Sequence, residues 1–272
     1  MFRPDEYVTF RCSPHQAGVE LYTARLVEHV FAPHVHEGFS IGVIEQGVER
    51  FRYRGADHLA GAGTLVFLNP DEPHTGQAAV DAGWRYHMLY LDGQTLARLV
   101  GAPCHFRAAT AVDPQRAARF LRAFGRLWQA REPLAFQGEL AQVLQDIAAR
   151  HGSVAPQERA GVGRRRFARV IDYIEAHLDA PLSLDTLAQL AGLSLAHFAR
   201  AFAAEYHITP HRYVQARRVA RAKRLLAAHC PPAQAAAAAG LTDQSHLTRW
   251  FRQAYGVTPS QYQEQIGTRP AR

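Results

Sequence analysis

One C-terminal stretch constrains this chain more than any other: Ala239-Gly240-Leu241-Thr242-Asp243-Gln244-Ser245-His246-Leu247-Thr248-Arg249-Trp250-Phe251, closed by Tyr255-Gly256-Val257-Thr258-Pro259. Gly240 supplies a tight turn, and Gly256 followed by Thr258-Pro259 stops the short helix between them. Leu247 and Phe251 fall on one face of that helix, leaving Gln244, Ser245, His246 and Arg249 for the other. Such a face suits the DNA major groove, where Arg bridges guanine O6/N7 and Gln bridges adenine.

A weaker copy lies upstream. Ser183 is a plausible N-cap for a helix with Leu184, Leu187, Ala188 and Ala191 on one side, and Gly192 supplies the turn. Leu195, Phe198 and Phe202 form the expected buried stripe of the next helix, so Ala196, His197 and Arg200 point outward. The units are joined by a helix from Tyr213 to His229 carrying Arg217, Arg218, Arg221, Lys223 and Arg224. A rod of that length can hold two reading helices about one DNA turn, roughly 34 Å, apart. Pro232 to Ala239, before the second turn, is nearly all alanine, which buries little surface per residue. The second unit is therefore expected to be the softer one.

Charge follows the same division. Residues 1–150 carry 15 Arg against 16 Asp and Glu, whereas residues 151–272 carry 16 Arg and Lys against 8. One half should meet a polyanion while the other does something else. With 272 residues there is room for two domains, each with its own core. No apolar run approaches the roughly 18 residues that span a bilayer, and the N-terminus lacks a signal-peptide core. Cys12, Cys104 and Cys230 form no CxxC pair and read as reduced thiols of a cytoplasmic protein.

The N-terminal half alternates short strand-like runs with turns: 38–45 up to Gln46-Gly47, 48–53 up to Arg54-Gly55, 64–68 up to Asn69-Pro70, and 84–91. Such spacing indicates a sandwich or small barrel. On the last run either Arg85 and His87 or Trp84, Tyr86 and Tyr90 must face inward, and the sequence does not decide which. Asp113-Pro114 is a helix start, with Phe120, Leu121, Phe124, Leu127 and Trp128 at helical spacing. Leu134 to Ala149 gives a second helix. These two helices can pack on their own barrel or pair with a second chain. Residues 151–164 lack periodicity and read as a linker.

The tandem units on a shared helix, about residues 165–265, resemble the AraC/XylS family of transcription regulators. The resemblance implies base-facing positions Ala196, Ala199 and Arg200 in the first unit and Gln244, Ser245, His246 and Arg249 in the second. Pro33-His34-Val35-His36, the alternating strands and Asn69-Pro70-Asp71-Glu72-Pro73-His74 resemble the cupin barrel that such regulators use for effector binding. The fold expected is thus multidomain: a cupin-like β-barrel with two helices over 1–150, then an all-α domain with two helix-turn-helix units.

His34, His36, His74, Glu45, Arg85 and His87 are the candidate effector contacts. Three readings of the three barrel histidines stay open: effector contacts, structural hydrogen bonding, and a metal set, since neutral imidazole suits Zn, Fe or Ni. Metal-binding cupins carry a glutamate three or four residues after the second histidine; here Ser40 and Ile41 stand there, and the next acid is Glu45. No cofactor is expected. The partners implied are double-stranded DNA, a small-molecule effector, a second copy of the chain and RNA polymerase, with no membrane. The competing reading is a metal-dependent cupin enzyme with a basic helical tail.

Overall fold

The computed structural model describes residues 3, 5–153 and 162–267. Eight strands build the N-terminal barrel: β1 (Tyr7–Cys12), β2 (Val19–Leu26), β3 (Phe31–His34), β4 (Phe39–Tyr53), β5 (Ala56–Gly61), β6 (Thr64–Leu68), β7 (His74–Ala78) and β8 (Trp84–Leu91). Helix α1 (Gly93–Val100), the short strands β9 (His105–Phe106) and β10 (Thr110–Val112), and helices α2 (Pro114–Gln129) and α3 (Pro133–His151) follow. One sheet runs β1-β2-β8-β4-β6-β10; the other, β3-β7-β4-β5, shares the long strand β4.

Sequence reading ends a strand at Gln46-Gly47, but β4 passes straight through. The interruption is a bulge: Ile44 pairs with Tyr86 and Gln46 with Arg85, leaving Glu45 as the extra residue. Gly47 sits at φ 71° against the Gly83 carbonyl, where a Cβ would collide. The bend lets one strand serve both sheets.

Each face of the first sheet has its own partner. Leu21, Ile41, Val43, Leu65, Leu89 and Leu91 pack outward against α1, α2 and α3, which bury Phe120, Phe124, Leu140 and Leu144 there. Asp113 caps α2 by accepting from the Arg116 backbone N–H, with Pro114 at the first helical position. Both helices therefore spend their apolar faces on their own barrel. Trp84, Tyr86 and Met88 point the other way, into the barrel.

The expected linker is shorter at both ends. Gly152–Ser153 forms β11, paired with β9, and α4 (Val162–Ala176) already includes 162–164; residues 154–161 lie outside the described residues. Then come α5 (Leu184–Leu190), α6 (Leu195–Tyr206), α7 (Pro210–Ala227), α8 (Pro232–Ala238), α9 (Gln244–Tyr255) and α10 (Pro259–Gly267). Ser183 caps α5 as expected, accepting from the Thr186 N–H, and Gly192 takes the left-handed turn at φ 65°.

The two helix-turn-helix units rest on different cores. The first has a core of its own, with Phe167, Val170, Leu187, Phe198 and Phe202 packed together. The core of the second, including Leu226, Ala235, Ala236, Leu247 and Phe251, is continuous with the barrel interior through Phe10, Tyr22 and Tyr262. Two separate cores were expected; the second unit instead leans on the barrel. Three of its alanines, Ala235, Ala236 and Ala239, are fully enclosed at 0% exposure, while Ala233, Ala237 and Ala238 face outward.

Candidate functional site

The outward faces of α6 and α9 are the candidate nucleic-acid interface. On α6, Ala196, His197 and Arg200 are exposed and Ala199 is half-buried, while Phe198 and Phe202 turn inward. Leu195 departs from the expected stripe: it is exposed, because as the first residue of α6 it lies beyond the core formed by α4 and α5. On α9, Asp243 accepts from the His246 backbone N–H at 2.7 Å and fixes the start of the helix. Gln244, Ser245 and Arg249 are exposed, and Leu247 and Phe251 are fully buried. His246 differs from its neighbours. It is half-buried and accepts the Trp250 indole N–H at 2.5 Å, so its ring is turned along its own helix.

Four cations of the basic joining helix are engaged within the protein. Arg217 pairs with Glu175 of α4 and with Asp71 of the barrel, and Arg218 donates to the carbonyls of Leu178 and Ala180. Lys223 pairs with Glu20 on β2, and Arg224 with Glu37 at 2.7 Å. Three of these four cations thus hold the barrel. Val35 is fully buried against Ala216 and Ala220 of α7 and belongs to no other cluster. At the far end, Gln265 of α10 continues the ladder of the edge strand β1, accepting from the Phe10 N–H at 2.9 Å and donating to the Val8 carbonyl at 3.0 Å.

The barrel interior brings together three of the six candidate effector contacts. One ring nitrogen from each of His34, His36 and His74 lies within 4.8 Å of the other two. Nδ1 of His34 lies 2.8 Å from the Ala32 carbonyl and Nδ1 of His74 lies 3.1 Å from that of Glu72. Carbonyls only accept, so both Nδ1 atoms carry the proton and both Nε2 atoms keep a lone pair. Burial lowers the pKa of all three, that of His74 to about 4, and the rings are neutral near pH 7. Neutral imidazoles so held can accept from a ligand or hold a metal ion.

Glu45, Arg85 and His87 are not in this cavity, which corrects the expectation from sequence. Alternation from Ile41 and Val43 puts Glu45 on the helix-bearing face, where it accepts from Arg85 at 2.8 Å and lies 2.7 Å from His87 Nε2. His87 in turn packs on Phe124 of α2, with ring centroids 4.8 Å apart. Because side chains alternate along β8, placing Arg85 and His87 there sends Tyr86 and Tyr90 inward. The carboxylate that does reach the cavity is Glu49, which sequence reading missed. It follows the bulge by four residues, and only a bulge restores its inward parity.

Size separates two adjoining spaces. The inner cavity around the histidines and Glu49 holds only about 40 Å³, room for a water molecule or two. A second space of about 450 Å³ lies between the barrel and the second unit, sharing His36, Tyr90 and Tyr255 with the first. That volume is in the range of small-molecule sites. Its wall includes Glu20 and Asp92 from the barrel and Lys223 and Tyr262 from the helical domain. Tyr255 ends helix α9, and its ring lies 5.8 Å from both His34 and His36.

Comparison with known proteins agrees with this division. The AraC-like ligand binding domain model matches residues 16–147, and a helix-turn-helix domain model matches residues 187–265. The HTH-type transcriptional regulator YbfI of Bacillus subtilis is 23% identical, spanning 89% of this chain and 90% of YbfI. The regulatory protein SoxS of Salmonella typhimurium is 31% identical over 36% of this chain and 92% of its own length. Apo ToxT of Vibrio cholerae shares the fold, with a TM-score of 0.61 at 9% identity over 92% of this chain and 98% of ToxT. ToxT has also been solved with an unsaturated fatty acid bound. No helix among the described residues is long and apolar enough to cross a membrane. A barrel with a ligand-sized space at its mouth, two helix-turn-helix units and relatives that regulate transcription lead to one conclusion: this chain belongs to the AraC family of transcription regulators, with an N-terminal effector-binding domain and a C-terminal helix-turn-helix DNA-binding domain.

Proposed function

We propose that the effector of this regulator occupies the space between barrel and second unit and acts on DNA reading through the docked helix α9. One observation carries the reading: Tyr255, the last residue of α9, lines both that space and the histidine cavity. A ligand there touches the helix that presents Gln244 and Arg249, so its binding energy differs between docked and undocked geometries. Such a difference is what shifts a population. His36 faces the ligand directly; His34 and His74 stand behind it as neutral acceptors.

Base readout is assigned to Arg200 in the first unit, flanked by Ala196 and Ala199, and to Gln244, Ser245 and Arg249 in the second. His246, held by Trp250, lies at the rim. The division adopted is up to Ser153 for sensing, from Val162 onward for DNA binding, and the segment between them for linkage. The protein acts in the cytoplasm as a regulator rather than an enzyme; a homodimer and contact with RNA polymerase complete the reading. What favours regulation over cupin catalysis is that the barrel mouth is closed by the second DNA-binding unit.

The test uses duplexes selected from a random pool by the full-length protein. Arg249→Ala and Gln244→Ala should each relax specificity at one base position. Uniform weakening across all sequences would overturn the base-reading assignment and leave phosphate contact in its place.

A further inference from the structure

The sequence holds 31 basic residues of the Lys and Arg type, and Lys223 is the only lysine. Its position explains the exception. The ammonium nitrogen lies 4.9 Å from the centroid of Phe10, 5.1 Å from Tyr90, 5.1 Å from Tyr255 and 5.3 Å from Tyr262. It also pairs with Glu20, whose other oxygen accepts from the Tyr262 hydroxyl at 2.8 Å. Four ring faces and one buried carboxylate make a cage for a compact cation, which a planar guanidinium fills poorly. Lys223 and Glu20 side chains are only 14% and 10% exposed.

The cage is divided between the domains. Phe10, Glu20 and Tyr90 belong to the barrel; Tyr255 and Tyr262 belong to α9 and α10, and Lys223 comes from α7. It opens on the 450 Å³ space, whose wall includes Glu20, Tyr90, Lys223, Tyr255 and Tyr262.

We propose that this aromatic cage is a binding site for a small organic ammonium compound, filled in the present conformation by the protein's own Lys223. The ligand class follows from the cage: a methylated or primary ammonium group satisfies the four rings and Glu20 as Lys223 does, while its remaining atoms occupy the adjoining space. Entry of the ligand expels the Lys223 ammonium and removes one of the ties between α7 and the barrel. This inference rests on the proposed function and names the effector class of that same space.

The experiment uses full-length protein and tetramethylammonium chloride, with sodium chloride at matched ionic strength and tert-butanol as the neutral isostere. Calorimetric titration of Lys223→Met and Lys223→Ala should show binding roughly tenfold or more tighter than wild type, since the internal competitor is gone. Adding Glu20→Gln should abolish that gain. In wild type, the acetylation rate of the single lysine should rise with tetramethylammonium and not with sodium or tert-butanol, a readout that survives if the variants fail to fold. Equal affinity of variants and wild type, equal binding of tert-butanol, or an unchanged acetylation rate would overturn the cage. Val35→Glu changes no cage residue, so altered DNA affinity in that variant beside a failed cage test would leave the docking reading standing.

Discussion

The Tyr255 hydroxyl, on the helix that carries Gln244 and Arg249, donates to the Val35 carbonyl between His34 and His36 at 3.4 Å. Through that contact the barrel's histidine segment touches the end of α9, the helix proposed to read bases. The side chains around it follow the same division: Val35 packs on Ala216 and Ala220 of α7, and the inner cavity is closed by Ala254 and Tyr255.

Arg249→Ala and Gln244→Ala are each expected to weaken operator binding by about 1–3 kcal/mol, with the loss concentrated at one base position. Arg200→Ala should do the same for the first half-site, where Ala196 and Ala199 offer no polar group. Fluorescence anisotropy on single-base operator variants measures all three.

Stability should depend on pH in two opposed ways. Burial pushes the Glu49 carboxyl up to about 8 from an ordinary 4.5. Between those values the unfolded chain releases a proton that the folded protein keeps, so this contribution is full below pH 4.5 and lost as pH rises toward 8. Glu49→Gln should therefore raise Tm relative to wild type at pH 8 and not at pH 4, by an amount equivalent to roughly 2–4 kcal/mol. His74, lowered to about 4 from 6.5, acts in the opposite sense: its contribution is present above pH 6.5 and lost as pH falls toward 4. Thermal melts of wild type, Glu49→Gln and His74→Phe across pH 4–8 separate the two.

Separating the halves should affect the two helix-turn-helix units unequally. The first keeps its whole core of Phe167, Phe198 and Phe202; the second loses the barrel side chains Phe10 and Tyr22 that continue its core. In a fragment of residues 162–272, amide exchange across α8, α9 and α10 should be faster than across α5 and α6, whereas in the full chain both should be protected. Phe198→Ala, by contrast, should cost about 3–5 kcal/mol in either context.

Local signals were legible in the sequence because they are written within one turn of chain. Asp113 before Pro114, Ser183 before α5 and the left-handed Gly192 and Gly240 all serve as read. The inward Leu247 and Phe251 follow from helical period alone. What stayed hidden depends on partners far along the chain. Gln46-Gly47 carries the residues of a turn, and only pairing with β8 makes it a bulge, which switches the parity of the strand and brings Glu49 into the cavity. The ion pairs of α7 stayed hidden because the carboxylate partners, Glu20, Glu37 and Asp71, lie in the other domain. The alanines of α8 suggested a loose unit because nothing local shows that the barrel supports it.

The central claim is that docking of the second unit on the barrel is coupled to DNA reading. Val35 tests it most directly, since its side chain clusters with Ala216 and Ala220 of α7, and neither is among the residues assigned to base reading. Operator affinity should be measured by anisotropy for wild type and Val35→Glu, with circular dichroism confirming that the variant is folded. Coupling of the usual allosteric size corresponds to a change of about tenfold or more. Affinities equal within about twofold, in a folded and undocked variant, would contradict the claim.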